Sequence, residues 1–566
     1  MQDYWQHRVG RRSMLRGAVV GGLGLAGAAL VGCSSGSSPA GGTPTQAPAG
    51  TGTAAAAATP KRGGILTGVL AGPPLSFDPY TALAWQYINY ASATFSQLVR
   101  LDSTKSYPLN GSNIGPDLAE KWEFSKDATE LVFSLRKGVK FHNGTPFTAK
   151  DVKFSIERMA DPKICYFSGD FADLAGVEAV DDFTVKLKWK IPSAARLASL
   201  ASGYSVIYSA EHASKADRKT EAFAMGTGPF KLTSFKSQQE YTYERNADYW
   251  FQGRPYLDGM KFQTVSVDAS IPSVVSGQAD FVASGGNDGY ISDPENEVIY
   301  KKAGNAIKIW YDLRTPNPFN RSWFFNMKRQ GPWQNPDVRR AMALVIDRTA
   351  VSGAYGSADW TKPSGPFLTG MALDMAEADK VVGWDKPIDA RVTEAKALLA
   401  RAGYANGFKT TAVVRNSAVY SNSALLAQEA FKKHLGIDVA FETVEVAVET
   451  QRKARGDFDN LSFYKVFRSG IHPVELSGQY VTGGTENWEQ GADKELDAIF
   501  VKMAGLLSGP ELNALSKQAN TRILQNMFSI PMVRESNVPV TRSTVKGVTG
   551  HIWLTNGDHS TWWFDK

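Results

Sequence analysis

The sequence predicts an α/β protein built from two lobes of different character, and three observations lead to that prediction. The chain has 566 residues, too many for one hydrophobic core and enough for two or three lobes. Up to about residue 330 the pattern is short strands broken by turn residues, whereas the remainder is rich in helical periodicity. No repeat of solenoid length is visible. A shift of this kind indicates two lobes.

Composition and charge are those of an ordinary soluble protein, with 43% hydrophobic and 21% charged residues. The formal net charge is +6, of which the N-terminal stretch carries +3 through Arg8, Arg11, Arg12, Arg16 and Asp3. The rest of the chain is therefore nearly neutral for its length, and its basic residues are scattered among acidic ones. This distribution argues against nucleic-acid binding.

The N-terminus predicts an export signal. Residues 10–16 resemble the twin-arginine motif, and the apolar run over 18–32 is too short to span a bilayer comfortably. The four residues ending at Cys33 resemble a lipobox, which implies a signal peptide over 1–32, cleavage, and a lipid on the Cys33 sulfur. An uncleaved anchor or an ordinary signal peptide is the alternative. Residues 33–60, rich in Ser, Gly, Pro and Ala, predict a flexible tether.

The stretch from residue 131 to 162 gives the sharpest local prediction. Alternating Leu131, Phe133 and Leu135 predict a half-buried strand that runs on to Phe141. Asn143-Gly144 is typical of a tight turn. Thr148 and Asp151 have capping-box spacing ahead of a helix, which should end at Asp161-Pro162.

Further elements are predicted from periodicity and from capping residues. Strands are expected over 63–69, 184–189 and 240–244, and helices over 337–347, 393–402, 423–435 and 493–507, with Ser508 and Glu511 capping a last helix that reaches Phe528.

The sequence of residues 138–159 resembles the signature of family 5 extracellular solute-binding proteins, the peptide/opine/nickel-type receptors of ABC importers. It reads GVKFHNGTPFTAKDVKFSIERM. Other family-like motifs occur in the family's order over residues 115–122, 226–231, 244–250 and 336–348. The resemblance covers residues 61–566.

This resemblance implies a two-lobed periplasmic-binding-protein type II fold, the Venus-flytrap arrangement. One lobe would comprise 61–322 plus 534–566, with an inserted domain over about 101–224, and the other would comprise 323–533. The strands that cross between the lobes would act as a hinge.

The resemblance also implies a ligand-lining strand just before Pro473. In peptide-binding members an acidic residue four positions before the proline pairs with the ligand's ammonium group. This chain has Arg468 or Ser469 there, and an arginine favours a carboxylate, phosphate or phosphonate. Alternatively Arg468 points to solvent and Ser469 makes a turn hydrogen bond.

The remaining candidate ligand residues are aromatic or polar groups expected to face the interlobe cleft, although core packing is the alternative for each aromatic one. They are Trp85 and Tyr87 in a loop after the opening strand, Tyr464, Phe467 and Trp488, together with His472 and Arg534. His142 is expected to pin its own turn, and Cys165 to be a small buried hydrophobe.

These observations predict a lipid-anchored, extracytoplasmic receptor that captures a small organic solute, peptide-like or anionic, and delivers it to an ABC permease and ATPase. We expect a monomer without cofactor, metal or catalytic residues. The G-x-G-x-x-G match over 22–27 and the G-x-S-x-G match over 32–36 lack the strand and helix that such sites require. The alternatives are a nickel or metal-chelate receptor using His472 and Arg468, and an extracellular hydrolase.

Overall fold

The computed structural model describes residues 59–70, 76–81, 85–102, 113–282, 294–309, 319–354, 361–363, 365–367, 372–416, 418–466, 472–535, 540–548 and 558–565. The predicted signal peptide, Cys33 and nearly all of the tether lie outside these residues. Within them, no helix combines the length and the apolar character needed to cross a membrane.

The strands are numbered in chain order. They are β1 (Ile65–Leu70), β2 (Val99–Leu101), β3 (Ile114–Pro116), β4 (Ala119–Phe124), β5 (Glu130–Leu135), β6 (Leu174–Asp181), β7 (Thr184–Trp189), β8 (Phe230–Lys236), β9 (Glu240–Arg245), β10 (Gly259–Thr264), β11 (Phe281–Val282), β12 (Ile307–Ile309), β13 (Phe319–Phe325), β14 (Thr361–Pro363), β15 (Lys409–Arg415), β16 (Asp438–Val444), β17 (Asn460–Val466), β18 (Ser529–Glu535), β19 (Val540–Arg542), β20 (Val545–Lys546) and β21 (Trp563–Phe564).

The α-helices are numbered in the same way. They are α1 (Trp85–Thr94), α2 (Ala149–Ala160), α3 (Arg196–Leu200), α4 (Ala210–Ala213), α5 (Val267–Val275), α6 (Pro294–Ala303), α7 (Pro336–Val345), α8 (Arg348–Gly353), α9 (Met375–Val382), α10 (Ile388–Arg401), α11 (Ala418–Leu435), α12 (Val446–Arg455), α13 (Ser477–Tyr480), α14 (Lys494–Ala504) and α15 (Pro510–Asn526).

Three larger sheets organise the described strands. A seven-stranded sheet has the order β12-β19-β11-β1-β10-β9-β8, and a four-stranded sheet the order β4-β5-β7-β6. A six-stranded sheet, β14-β18-β13-β17-β15-β16, is drawn from residues 319–535. We call the first two sheets with their helices the first half, and the six-stranded sheet with its helices the second half.

Local sequence explains the segment that gave the sharpest prediction. Leu131, Phe133 and Leu135 are all buried on one face of β5. The backbone N–H of Thr148 donates to Oδ2 of Asp151 at 2.8 Å, as capping-box spacing requires, and α2 begins at the next residue. The strand ends at Leu135, however, and does not continue to Phe141 as expected, because Gly138 takes a left-handed backbone conformation in a turn.

The predicted helices of the second half are present with shifted ends. The helix expected over 393–402 begins earlier, at Ile388, and the one expected over 423–435 begins at Ala418. Gly436 follows α11 with φ +67°, a conformation that favours glycine. The expected Ser508 cap is wrong, since Gly509 precedes α15 and Pro510 occupies its first turn.

Two main hydrophobic cores stabilise the described part of the chain. The larger joins the sheets of the first half, and Cys165, only 2% exposed, belongs to it. The second packs α7, α10 and α11 against the six-stranded sheet around Trp323, whose ring meets that of Phe431 edge-on at 5.2 Å. Helix α15 contributes to both cores, with Ile523 in the first and Leu524 in the second.

Candidate ligand-binding site

One edge of the six-stranded sheet collects the carboxyl ends of four strands. β15 runs parallel to β16 and to β17, while β13 runs antiparallel to β17 and to β18. The carboxyl ends of β15, β16, β17 and β18 therefore share an edge with the amino end of β13. In α/β sheets, ligands bind outside the carboxyl ends of the strands.

The seven-stranded sheet presents an equivalent edge. β1 is parallel to β10 and β11, and β19 is antiparallel to β11 and β12, so β19 begins where β1, β11 and β12 end. The chain leaves this edge after Ile309 to enter β13, and returns from Glu535 to Val540. Five Cα steps span at most about 18 Å, so the two edges lie close at this crossing.

A buried group of charged side chains, which we call the lysine cluster, lies at the carboxyl edge of the second half. Arg415, the last residue of β15, donates from Nη2 to Oε2 of Glu449 at 2.7 Å. Lys453, one turn further along α12, places Nζ 3.1 Å from Oε1 of the same carboxylate. Nζ also lies 4.2 Å from the ring centroid of Trp488. Glu449 is fully buried, so one carboxylate serves two cations out of contact with solvent.

Burial dominates the electrostatics of Lys453. Desolvation lowers its pKa to about 8, although Glu449 and Glu486 act in the opposite direction. Arg415 adds to the lowering. The amine therefore titrates within a pH unit or so of neutrality, and a further anionic group beside it would favour its charged form.

The second crossing strand carries a polar clamp. The guanidinium of Arg534 donates from Nη2 to the carbonyl oxygens of Gly365 and Phe367, both at 3.0 Å. Asn320, its neighbour across the sheet on β13, donates to the same Gly365 carbonyl at 2.7 Å. Arg534, one of the predicted ligand residues, is only 8% exposed. Together with Asn320 it holds the segment around residue 366 against β13 and β18.

His472 lies away from solvent in a capping role. Its Nδ1 accepts from the backbone N–H of Val474 at 3.1 Å, and its Nε2 lies 2.8 Å from the Leu506 carbonyl oxygen. Burial lowers the pKa of His472 to about 4, so the ring is neutral and Nε2 is the protonated nitrogen. Both ring nitrogens are engaged, which favours a structural role over ligation.

The other predicted ligand residues lie in different parts of the molecule, and two of them fall outside the described residues. Trp488 is half-buried in the lysine cluster, with its ring also 6.1 Å from that of Phe324. Trp85 and Tyr87 lie on α1 and not in a loop as expected, since the helix begins at Trp85. Tyr464 is on β17, at the backbone position paired in register with Arg321 of β13. Phe467 and Arg468 lie outside the described residues.

Three members of the lysine cluster were not predicted: Arg415, Glu449 and Lys453. A signal for each exists in the sequence, because Arg415 ends an apolar run and Glu449 and Lys453 are spaced four residues apart on a helix. Such a spacing is ordinarily an exposed ion pair, so the pattern alone does not mark a buried one.

The histidines of the first half have structural partners too. As expected, His142 pins its turn, with Nε2 3.1 Å from the Gly228 carbonyl oxygen. Across the part of the chain that the structure describes, no three His, Cys, Asp or Glu side chains are grouped so as to hold a metal ion.

Comparison with known proteins identifies the family. Residues 113–484 match the profile described as bacterial extracellular solute-binding proteins, family 5 Middle. This match spans well over half of the chain, and the protein belongs to that family.

Relatives of different specificity resemble the whole folded region. Heme-binding protein A of Haemophilus influenzae is 28% identical over 508 residues, which is 84% of this chain and 88% of that protein. The dipeptide-binding protein DppE of Bacillus subtilis is 26% identical over 510 residues, again 84% of this chain and 88% of that protein. The binding protein AgaA of A. tumefaciens R10, solved in complex with agropinic acid, superposes with a TM-score of 0.73 at 25% identity over 89% of this chain and 99% of AgaA.

These findings confirm the predicted class. The chain has the mixed α/β periplasmic-binding-protein fold with several sheets, and it is the substrate-binding protein of an ABC transporter, acting outside the cytoplasm. It is not an enzyme, which removes the hydrolase alternative.

Proposed function

We propose that this protein captures a small organic solute, peptide-like or anionic, between the carboxyl edges of its two sheets and delivers it to an ABC permease and ATPase. The observation that carries the proposal is the convergence of both chain crossings on those edges. A ligand held there would contact both halves at once. Contact with both is what allows binding to favour a closed form.

The lysine cluster supports the anionic part of the proposal. It brings a guanidinium and an amine to the edge, and the low pKa of Lys453 reflects the cost of burying the charge of that amine. A ligand carboxylate near Lys453 would favour its charged form and gain a charge-assisted hydrogen bond. The half-buried Trp488 ring beside it would add an apolar contact for the ligand.

An organic solute is favoured over a metal chelate at this edge. The chelate alternative depended on His472 together with Arg468. Because both nitrogens of His472 are bound within the protein, chelation through that ring would require one of these hydrogen bonds to break. We keep Trp85, Tyr87, Tyr464, Phe467 and Arg468 as predicted ligand contacts, and Arg534 as a residue that positions the segment beside them.

The lobe boundaries form part of the proposal. We assign 61–322 plus 534–566 to one lobe, with an inserted domain over about 101–224, and 323–533 to the other. The separation of the six-stranded sheet, drawn from 319–535, from the other two sheets supports this division. β13 and β18 would then act as the hinge, and the molecule would work as a monomer.

Export and anchoring complete the proposal. The leader over 1–32 would direct twin-arginine export, and Cys33 would carry a lipid that holds the receptor at the membrane through the tether over 33–60. Membrane fractions of cells producing wild type and Cys33→Ala would test this. We expect the wild type in the membrane fraction and the variant released, with mass spectrometry of the wild-type N-terminal peptide showing the added lipid.

The ligand class can be tested before the ligand itself is identified. Native mass spectrometry of the freshly purified protein should show a bound small molecule, and the same sample after denaturation should release it for identification. Thermal unfolding with a dipeptide, glutathione, agropinic acid and heme would follow, with Lys453→Met as the matched variant. An anionic ligand should raise the wild-type unfolding temperature and raise that of Lys453→Met less. Equal shifts in both proteins would remove Lys453 from the proposed site.

A further inference from the structure

Helix α14, which packs on α15 and lies in the chain between the crossing strands β13 and β18, also contacts the first half. The backbone N–H of Ala195, just before α3, donates to the carbonyl oxygen of Ala504 at the end of α14, at 3.1 Å. A Cβ placed on the next residue, Gly505, would lie 3.3 Å from Cβ of Pro192. We call this contact, between residues 192–196 and 503–506, the seam.

Buried apolar side chains adjoin the seam. Met503 is fully buried, Phe500 is 2% exposed, and both lie in the same core as Leu197 of α3. Separating the two sides of the seam would leave the Ala195 donor without its protein partner.

Polar groups frame the seam on both sides. Arg196 is held by Asp173 through a 3.1 Å contact from Nε to Oδ1, and its charge contributes to the lowered pKa of His472. His472 in turn contacts the carbonyl oxygen of Leu506 at 2.8 Å. Each side of the seam is therefore held by polar contacts of its own.

We infer that the seam is a latch that holds the two halves together independently of ligand. The inference rests on the proposed closure of the halves. Opening about β13 and β18 would have to break the seam, and its strength would therefore set the fraction of open molecules before any ligand arrives. A mutation there should change ligand affinity without touching the ligand, because affinity scales with the competent fraction of the protein.

Two glycines provide a matched test. Gly505→Leu introduces a side chain against Pro192, whereas a Cβ on Gly353, at the end of α8, would meet nothing within 4 Å. Gly505 has φ −76°, and φ of Gly353 lies outside the left-handed region, so neither substitution strains the backbone. Spin labels at Val180→Cys on β6 and Leu425→Cys on α11, about half exposed in the wild type, report the separation of the halves. Full-length protein with Cys33→Ala would serve as background, since Cys165 is buried.

Without ligand, we expect Gly505→Leu to move the label-to-label distance distribution to longer values, and Gly353→Leu to leave it as in the background protein. Ala195→Pro, which deletes the N–H donor at a φ of −61° that proline adopts, should shift the distribution in the same direction by less. Unchanged distances in a folded Gly505→Leu or Ala195→Pro protein would overturn the latch and indicate that α14 moves with the first half.

Failure of the latch is distinguishable from failure of the proposed function. If native mass spectrometry finds a co-purified solute while the seam variants leave the distances unchanged, the receptor function stands and the latch is wrong. If the seam variants lengthen the label-to-label distances but neither the wild type nor any variant binds a solute, the latch is supported. The proposal that a ligand binds at the carboxyl edges is then refuted.

Discussion

Each half of the molecule contains a buried ion cluster built around one carboxylate, and the two clusters differ in what surrounds that carboxylate. In the first half, Asp78 is fully buried and paired with Arg158 of α2. Its Oδ1 accepts from the hydroxyl of Tyr208 at 2.8 Å and from the backbone N–H of Tyr80 at 3.1 Å. In the second half, Glu449 is shared by Arg415 and Lys453.

The difference shows how the setting of a buried charge indicates its role. Aromatic rings enclose Arg158, whose guanidinium carbon lies 5.8 Å from the Tyr80 ring and 5.5 Å from the Tyr208 ring. That cluster ties the segment after β1 to α2, within one half, and its charges are matched one to one. The lysine cluster lies at a carboxyl edge and includes an amine that can lose its proton. The first arrangement suits a permanent tie, and the second suits a site that responds to an incoming charge.

The largest effect is expected from Asp78→Ala. The substitution leaves Arg158 without its carboxylate and Tyr208 without its acceptor, in surroundings that cannot replace them. We expect the free energy of unfolding to fall by about 3–5 kcal/mol. Urea unfolding followed by circular dichroism measures this loss.

Tyr208→Phe is the internal control for that prediction, since it removes one hydrogen bond and keeps the ion pair. Its loss should be about 1 kcal/mol. If the two variants lose the same free energy, the ion pair contributes little and the contrast between the clusters weakens.

Glu449→Gln should have the next largest effect and should depend on pH. The amide keeps the shape and some hydrogen bonding, but Arg415 and Lys453 lose their shared anion, which should destabilise the protein by roughly 2–3 kcal/mol at neutral pH. Because the wild-type Lys453 pKa is about 8, the amine is already largely neutral at about pH 9.5, and the variant should lose less stability there. Unfolding measured at both values tests this, and a loss independent of pH would show that Lys453 is not coupled to Glu449.

Lys453→Met is expected to act in the opposite direction. The folded-state pKa of about 8 lies below the unfolded value of about 10.4, so the unfolded chain binds the proton more tightly. This unfavourable contribution is fully present below pH 8 and fades as pH rises toward about 10.4. Replacement by methionine should therefore stabilise the protein by roughly 1–2 kcal/mol at about pH 7, with a smaller gain at about pH 10.

Ligand affinity should be measured on the same Lys453→Met variant. A variant that is more stable and yet binds the co-purified solute less well would show that the buried amine is retained for recognition. A loss of stability in Lys453→Met at neutral pH would contradict the electrostatic interpretation and point to packing of the lysine stem instead.

The contrast between the halves also explains what the sequence could predict. β7 over Thr184–Trp189 has the predicted bounds. The alternation of apolar and polar side chains that predicts a strand involves only neighbouring residues, so the sequence alone shows it. The lysine cluster escaped prediction because its partners come from distant elements, with Arg415 separated from Glu449 by 34 positions in sequence. His472 drew attention by its position before Pro473, yet its hydrogen bond to Leu506 depends on the tertiary packing of α14.

The smallest effects are expected where ion pairs lie at the surface, and they test whether burial or location in one half explains the contrast. Lys61 pairs with Asp565 in the first half and Lys432 with Asp438 in the second, each at 2.8 Å and with every side chain more than two-fifths exposed. Solvent and salt screen such pairs, and ordering two long side chains opposes them. Asp565→Asn and Asp438→Asn should therefore leave the urea midpoint within error of the wild type at about 0.15 M salt. A clear loss of stability in either variant would mean that the aspartate contributes more to stability than its ion pair does. Burial alone would then not explain why some carboxylates in that half stabilise the protein more than others.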